Sequence, residues 1–148
     1  LRMDRHVKNA LEVAKWLTTR PDVDSITYPG LSDSPYHSLA KRYMPYGPGA
    51  VFSFRLPGGR TGGERFIEAL ELWSHLANVG DAKSLVIHPA STTHRQLTDS
   101  ELAAAGITPG TIRLSVGLED LDDLIADLQV GLDAATSSQL PNTDQASL

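Results

Sequence analysis

From the first residues of the chain, apolar side chains recur at intervals of three and four. Met3, Val7, Ala10, Leu11, Ala14 and Leu17 fall on one side of a 3.6-residue repeat, which predicts a helix that Pro21 stops. Asp4 is the one side chain near its start able to cap it. Ser25 to Tyr28 then reads as a short strand closed by the Pro29-Gly30 turn. Ser34-Pro35 supplies a cap and a proline at the first helical position, so a short helix is expected from Pro35 to about Tyr43. Beyond the breaker Tyr46-Gly47-Pro48-Gly49, Ala50, Phe52, Phe54 and Leu56 alternate with Val51, Ser53 and Arg55, the period of a half-buried strand.

Two Thr-x-x-Glu stretches, Thr61–Glu64 and Thr98–Glu101, fit the capping box, in which side chain and backbone satisfy each other's orphan groups. Behind the first, Phe66, Ile67, Leu70, Trp73 and Leu76 or Ala77 extend one helical face. The second opens a two-turn helix closed by Gly106. Between them Ser84 to His88 is a short apolar strand. Thr108-Pro109-Gly110 turns the chain into Thr111–Leu118, where Ile112, Leu114 and Val116 face one way and Thr111, Arg113 and Ser115 the other. The last helix is expected from near Asp120, with Glu119, Asp120, Asp122 and Asp123 at the positive end of its dipole. Its core face is Leu121, Leu124, Ile125, Leu128 and Leu132. Thr136 to Leu148 is polar and aperiodic and is expected to be a disordered tail.

Four short strands and about five helices, irregularly spaced, do not suit a doubly wound parallel sheet. They suit an α+β domain: a small, mostly antiparallel sheet of about four strands with helices packed on one face. The 148 residues are enough for one such domain. A chain that is 41% hydrophobic and 21% charged is neither disordered in bulk nor membrane-spanning. There is no cysteine, which removes disulfides and thiolate chemistry and suits a cytoplasmic location. The net charge of −5 argues against a general nucleic-acid binder. Residues 1–65 carry +4 and residues 66–148 carry −9, but the basic charges are scattered, as on a solvated surface.

Candidate chemistry is sparse. The five histidines show neither H-x-x-x-H nor H-E-x-x-H spacing, so no metal site is expected. Gly58-Gly59 and Gly62-Gly63 lack the pattern of a phosphate loop and read better as a helix start. Asn78 to His94 (NVGDAKSLVIHPASTTH) is the most unusual stretch, readable either as a turn and loop exit or as part of a site. Arg113, the only basic residue after Arg95, sits mid-strand beside Thr111 and Ser115. It is either a surface charge or a bidentate clamp for a carboxylate or phosphate on a rigid mount.

Asn78 to His94, followed by Ile112-Arg113-Leu114-Ser115-Val116-Gly117-Leu118-Glu119, resembles the C-terminal domain of the Cys/Met-metabolism enzymes that use pyridoxal phosphate. Tyr28-Pro29-Gly30-Leu31 and His37–Tyr43 are similar to the same family, and the likeness runs to about Ala135. The Asn78-Val79-Gly80-Asp81-Ala82-Lys83 run resembles the O-acetylhomoserine sulfhydrylase branch; other branches carry Ser-Leu-Gly-Gly there.

The resemblance implies that residues 1–135 are a substrate-binding domain, with 1–19 part of an interdomain helix. It implies that the cofactor domain, with its Schiff-base lysine, lies outside this chain. Lys8, Lys15, Lys41 and Lys83 match no Schiff-base motif, so no catalytic or cofactor-binding residue is expected here, and the chain alone is expected to be inactive. By resemblance, Arg113 binds the α-carboxylate of an amino-acid substrate, Asn78 stands where relatives place a serine of that site, and Thr93 lies nearby. The implied partners are that substrate, the cofactor domain and, for the parent enzyme, further copies in a homotetramer, with neither nucleic acid nor membrane. Within the same family the alternative is a cystathionine γ-synthase or γ-lyase; outside it, a non-enzymatic α+β binding module.

Overall fold

The computed structural model describes residues 1–92 and 96–137. Its elements are α1 (Arg2–Thr18), β1 (Ser25–Thr27), α2 (His37–Tyr43), β2 (Val51–Arg55), α3 (Gly59–Ala69), β3 (Ser74–His75), β4 (Leu85–Ile87), a 3₁₀ turn (Pro89–Ser91), α4 (Asp99–Ala104), β5 (Thr111–Ser115) and α5 (Leu121–Thr136). The strands form one sheet in the order β1-β2-β5-β4-β3. All pairs are antiparallel except the short β3–β4 pair. The class is the expected α+β. The fifth strand, β3, lies where a helix was expected. The expected tail gives up Thr136 to α5; residues 138–148 lie outside the described residues.

The period-two pattern of β2 and β5 decides which face is core. Phe52, Phe54, Ile112 and Leu114 join Ala10, Val13, Ala14 and Leu17 of α1, Phe66 of α3 and Leu124, Leu128 and Leu132 of α5 in one buried cluster. Phe54 meets Phe66 edge to face, with ring centroids 5.6 Å apart. The helices α3 and α5 pack closely because position 131 is glycine; a Cβ there would come within 2.8 Å of the Phe66 ring.

Two helices depart from their sequence pattern. In α1 the buried face is His6, Asn9, Ala10, Val13, Ala14 and Leu17, while Met3 is half exposed. The face is rotated toward polar residues because His6 and Asn9 bond the backbone just beyond β5. In α3 the Thr61–Glu64 capping box does not form. The helix starts three residues earlier, capped by Gly58 without a side-chain bond, since the Gly58–Gly62 run lets the backbone turn tightly. The Thr98–Glu101 box does form, with both reciprocal bonds present, and those bonds to Thr98 hold the Glu101 carboxyl below its usual range.

The expected helix through Leu76 ends at Ala69 instead, with Leu70 already extended. The cause lies on α5. The Asp127 carboxylate accepts the backbone N–H groups of Glu71, Leu72 and Trp73 at 2.9–3.0 Å. Three successive amides aimed at one carboxylate cannot also donate to carbonyls four residues back. Trp73 keeps its place in the core from this loop and donates its indole N–H to Leu124 O. Asp127→Asn replaces a charged acceptor by an amide that also presents donors to the same N–H groups. Hydrogen bonds to a charged group contribute about 1.5–3 kcal/mol each, so the variant is expected to lose roughly that much stability in urea unfolding, with little change in helix content. A loss below about 0.5 kcal/mol, the size of an ordinary surface substitution, would show that the carboxylate is not what ends α3.

Candidate functional site

The sheet face opposite the core is open over β1 and β2 and covered at β4, where Leu85 and Ile87 are buried. Cross-strand register puts Thr27 beside Ser53, Ser53 beside Arg113 and Arg113 beside Ile87, one row across four strands. Together with Pro89 and Ile107 this row lines a cleft of about 510 Å³. The polar half of its wall is Thr27, Ser53, Thr111 and Arg113; the apolar half is Ile87, Pro89 and Ile107.

Arg113 is half buried on the central strand. Its Nη2 donates to the backbone carbonyl of Asn78 at 3.3 Å. Among the described residues the ion pairs are Lys15–Glu12, Arg20–Asp22 and Arg55–Asp24, so no carboxylate there neutralises Arg113. A guanidinium has five N–H donors. One fixes its orientation, and the rest can take a planar anion.

Sequence reasoning brings Arg113 and Asn78 together, and so does the fold, through a different atom. The Asn78 side chain turns back on its own chain, Oδ1 accepting from Val79 N at 2.9 Å, and the carbonyl does the orienting. Thr93 lies outside the described residues. One residue with a part in this region was misread. Glu119 was assigned to the α5 dipole, but Asp120 caps that helix, and the Glu119 carboxylate instead binds Ser84. No local pattern marks such a contact, because Ser84 is 35 residues away.

His88, behind the cleft, is fully buried with both ring nitrogens engaged: Nδ1 with Ser91 Oγ at 2.8 Å, Nε2 with Pro109 O at 2.6 Å. A carbonyl only accepts, so Nε2 carries the proton and Nδ1 accepts from the serine hydroxyl. Neither nitrogen is free to bind a metal or act as a base. The ring packs against Gly63, where a Cβ would come within 2.4 Å of Nε2. That is the use of Gly63. The four lysines are all exposed. The described residues therefore offer no enclosed amine for an aldehyde cofactor.

A guanidinium on a central strand, lining a cleft and paired with no carboxylate among the described residues, has the donors to take a planar anion. Residues 1–133 match the model of the Cys/Met metabolism PLP-dependent enzymes, and the chain belongs to that family. It is 53% identical to an O-acetyl-L-homoserine sulfhydrylase of Leptospira meyeri over 133 residues, which cover 89% of this chain and 30% of that protein. An L-methionine gamma-lyase of Pseudomonas putida is 50% identical over 135 residues, 91% of this chain and 34% of that one. A solved Campylobacter jejuni protein, assigned as an O-acetylhomoserine (thiol)-lyase and carrying N'-pyridoxyl-lysine-5'-monophosphate, superposes with a TM-score of 0.81 at 44% identity. That match covers 89% of this chain and 31% of the solved one. The chain thus spans about a third of the length of the relatives it matches. No helix among the described residues is long and apolar enough to cross a membrane.

Burial pushes the His88 pKa below its usual value of 6.5. The unfolded chain therefore takes up a proton at a pH where the folded one does not, and stability drops as the pH falls below about 6.5. The slope is at most about 1.4 kcal/mol per pH unit, one proton's worth. His88→Gln, which keeps a donor for Pro109 O, is expected to be less stable than the parent at pH 7.5 and to close part of that gap at pH 5.5. Urea midpoints at the two pH values measure this; a gap that does not narrow would mean that His88 stays charged in the fold.

Proposed function

We propose that this chain is the C-terminal, substrate-binding domain of a pyridoxal-phosphate-dependent O-acetylhomoserine sulfhydrylase. The parent enzyme exchanges the acetate of O-acetylhomoserine for sulfide, or methanethiol, giving homocysteine or methionine. It belongs to methionine biosynthesis and works in the cytoplasm as a homotetramer. Residues outside this chain hold the cofactor. This chain's share is to orient the substrate: Arg113 grips the α-carboxylate, with the Asn78 loop beside it, and Thr93 is assigned to the same site by resemblance alone. The observation that carries the reading is the half-buried Arg113, held by one carbonyl and paired with no carboxylate among the described residues.

A gripped carboxylate fixes one end of the amino acid, so that its reacting bonds keep a set angle to the chemistry supplied from elsewhere. The rigidity of a central strand suits this, since an error of about 1 Å in such a site costs on the order of 100-fold in rate. A second reading within the family, a lyase, is favoured by the near-equal identity to the Pseudomonas putida enzyme. The Asn78–Lys83 run favours the sulfhydrylase. Incubating the full-length enzyme with O-acetylhomoserine and sulfide, and separately with methionine alone, distinguishes the two by which reaction dominates.

Arg113→Ala in the full-length enzyme is expected to lower kcat/KM while the cofactor stays bound. Losing charged hydrogen bonds of about 1.5–3 kcal/mol corresponds to roughly 10- to 150-fold. Arg113→Lys should recover only part, because an ammonium lacks the planar fork. Steady-state kinetics, with absorbance reporting bound cofactor, reads both variants. An unchanged kcat/KM in Arg113→Ala rejects the clamp.

A further inference from the structure

The loop from Asn78 to Ser84 is exposed along most of its length yet tied to β5 and its exit at every second residue. Asn78 O accepts from Arg113 Nη2 at 3.3 Å. Gly80 N donates to Ser115 Oγ at 3.3 Å. Ala82 O accepts from Leu118 N at 2.9 Å. At Ser84 the tie is densest: its N donates to Glu119 Oε1 at 2.7 Å, its hydroxyl to Glu119 Oε2 at 2.8 Å, and the same hydroxyl accepts from Gly117 N at 2.7 Å. These contacts shorten and become charge-assisted toward Glu119, so the far end of the loop is the firm one. Gly117 makes room for the carboxylate, since a Cβ there would lie 2.4 Å from Glu119 Oε2 and from Ala82 O. Glu119 is itself held from behind: Arg5 and Asn9 both donate to its carbonyl at 3.0 Å.

We infer that Glu119 is a positioning residue for the Arg113 anion site, acting through Ser84 and the loop to place the Asn78 carbonyl that orients the guanidinium. The inference rests on the reading of Arg113 as the carboxylate clamp. Glu119 does not touch the substrate. Its bidentate hold on Ser84 sets where the loop begins its run along β5, and the ties at Ala82 and Gly80 carry that placement on to the weak Arg113–Asn78 bond. Loosening the loop leaves the guanidinium free to swing, and the site then has to order it whenever an anion binds.

The test uses the full-length holoenzyme and two unreactive probes, L-norleucine and L-norleucinamide, which differ only in carboxylate against carboxamide. Binding is read from the change in cofactor absorbance. Glu119→Gln is expected to weaken norleucine about tenfold and norleucinamide less than about twofold, because only the carboxylate uses Arg113. In an Arg113→Ala background, Glu119→Gln should add less than about twofold for norleucine, since two groups acting through one contact are not additive. Equal losses for both probes, or full additivity with Arg113→Ala, overturn the inference. If Arg113→Ala by itself leaves norleucine binding unchanged, it is the clamp reading that fails. Ser84→Ala, which removes the hydroxyl but keeps the Ser84 N–Glu119 bond, is expected to give a smaller loss with the same selectivity for norleucine. It stands in for Glu119→Gln should that variant fold poorly, and equal losses for the two probes in Ser84→Ala also overturn the inference.

Discussion

The backbone leaving β5 has to lose its strand partners without leaving buried carbonyls bare, and the structure depends on how this is done. Val116 and Gly117 are buried, and each of their carbonyls is met by a side chain of α1: His6 Nδ1 at 2.6 Å and Asn9 Nδ2 at 3.1 Å. Asn9 then reaches on to Glu119 O, as does Arg5. A buried carbonyl left unpaired costs about 1–3 kcal/mol, so this set is worth more than an equal area of apolar contact at the same place. It explains why a helix with so good an apolar stripe buries a histidine and an asparagine instead of its methionine.

The same few residues link three parts of the fold. Beyond Glu119, Asp120 caps α5 by accepting from Asp122 N, so the turn held by α1 is also the start of the helix that brings Leu124, Leu128 and Leu132 to the core. From α5, Asp127 reaches the end of α3 and fixes where the chain enters β3. From the turn itself, Glu119 reaches Ser84 and the loop beside Arg113. Two carboxylates on one segment therefore set the two ends of residues 71–84, the stretch that delivers Asn78 to the cleft.

The elements with a strict period were legible. Phe52, Phe54, Ile112 and Leu114 alternate with polar residues, and a one-residue slip would expose all four, so the alternation decides which face is buried. Arg113 was legible as a candidate for the same reason: the alternation that buries Ile112 turns it to the open side. What could not be read was long-range polar bonding. The apolar spacing through Trp73 is real, since Trp73 is buried, but a helix and a loop can both bury it. Only Asp127, 54 residues further on, decides between them. Asn78 was found by its place in a motif, while the atom that acts is a carbonyl, which every residue has. Its side chain could not have announced that role.

On the proposed reading of Arg113, a carboxylate clamp also limits what this domain can decide. Every α-amino acid offers the same carboxylate, so an interaction made equally in ground and transition states lowers KM for all of them and favours none. Choice among side chains has to come from groups that meet the rest of the substrate. In this chain the row Thr27, Ser53 and Ile87 beside Arg113, with Ile107 at its rim, is the part of the cleft that can do so, and its reach is short. The chain is 53% identical to a sulfhydrylase and 50% identical to a lyase. The element that grips the common end of the substrate is free to stay the same while the chemistry at the other end changes.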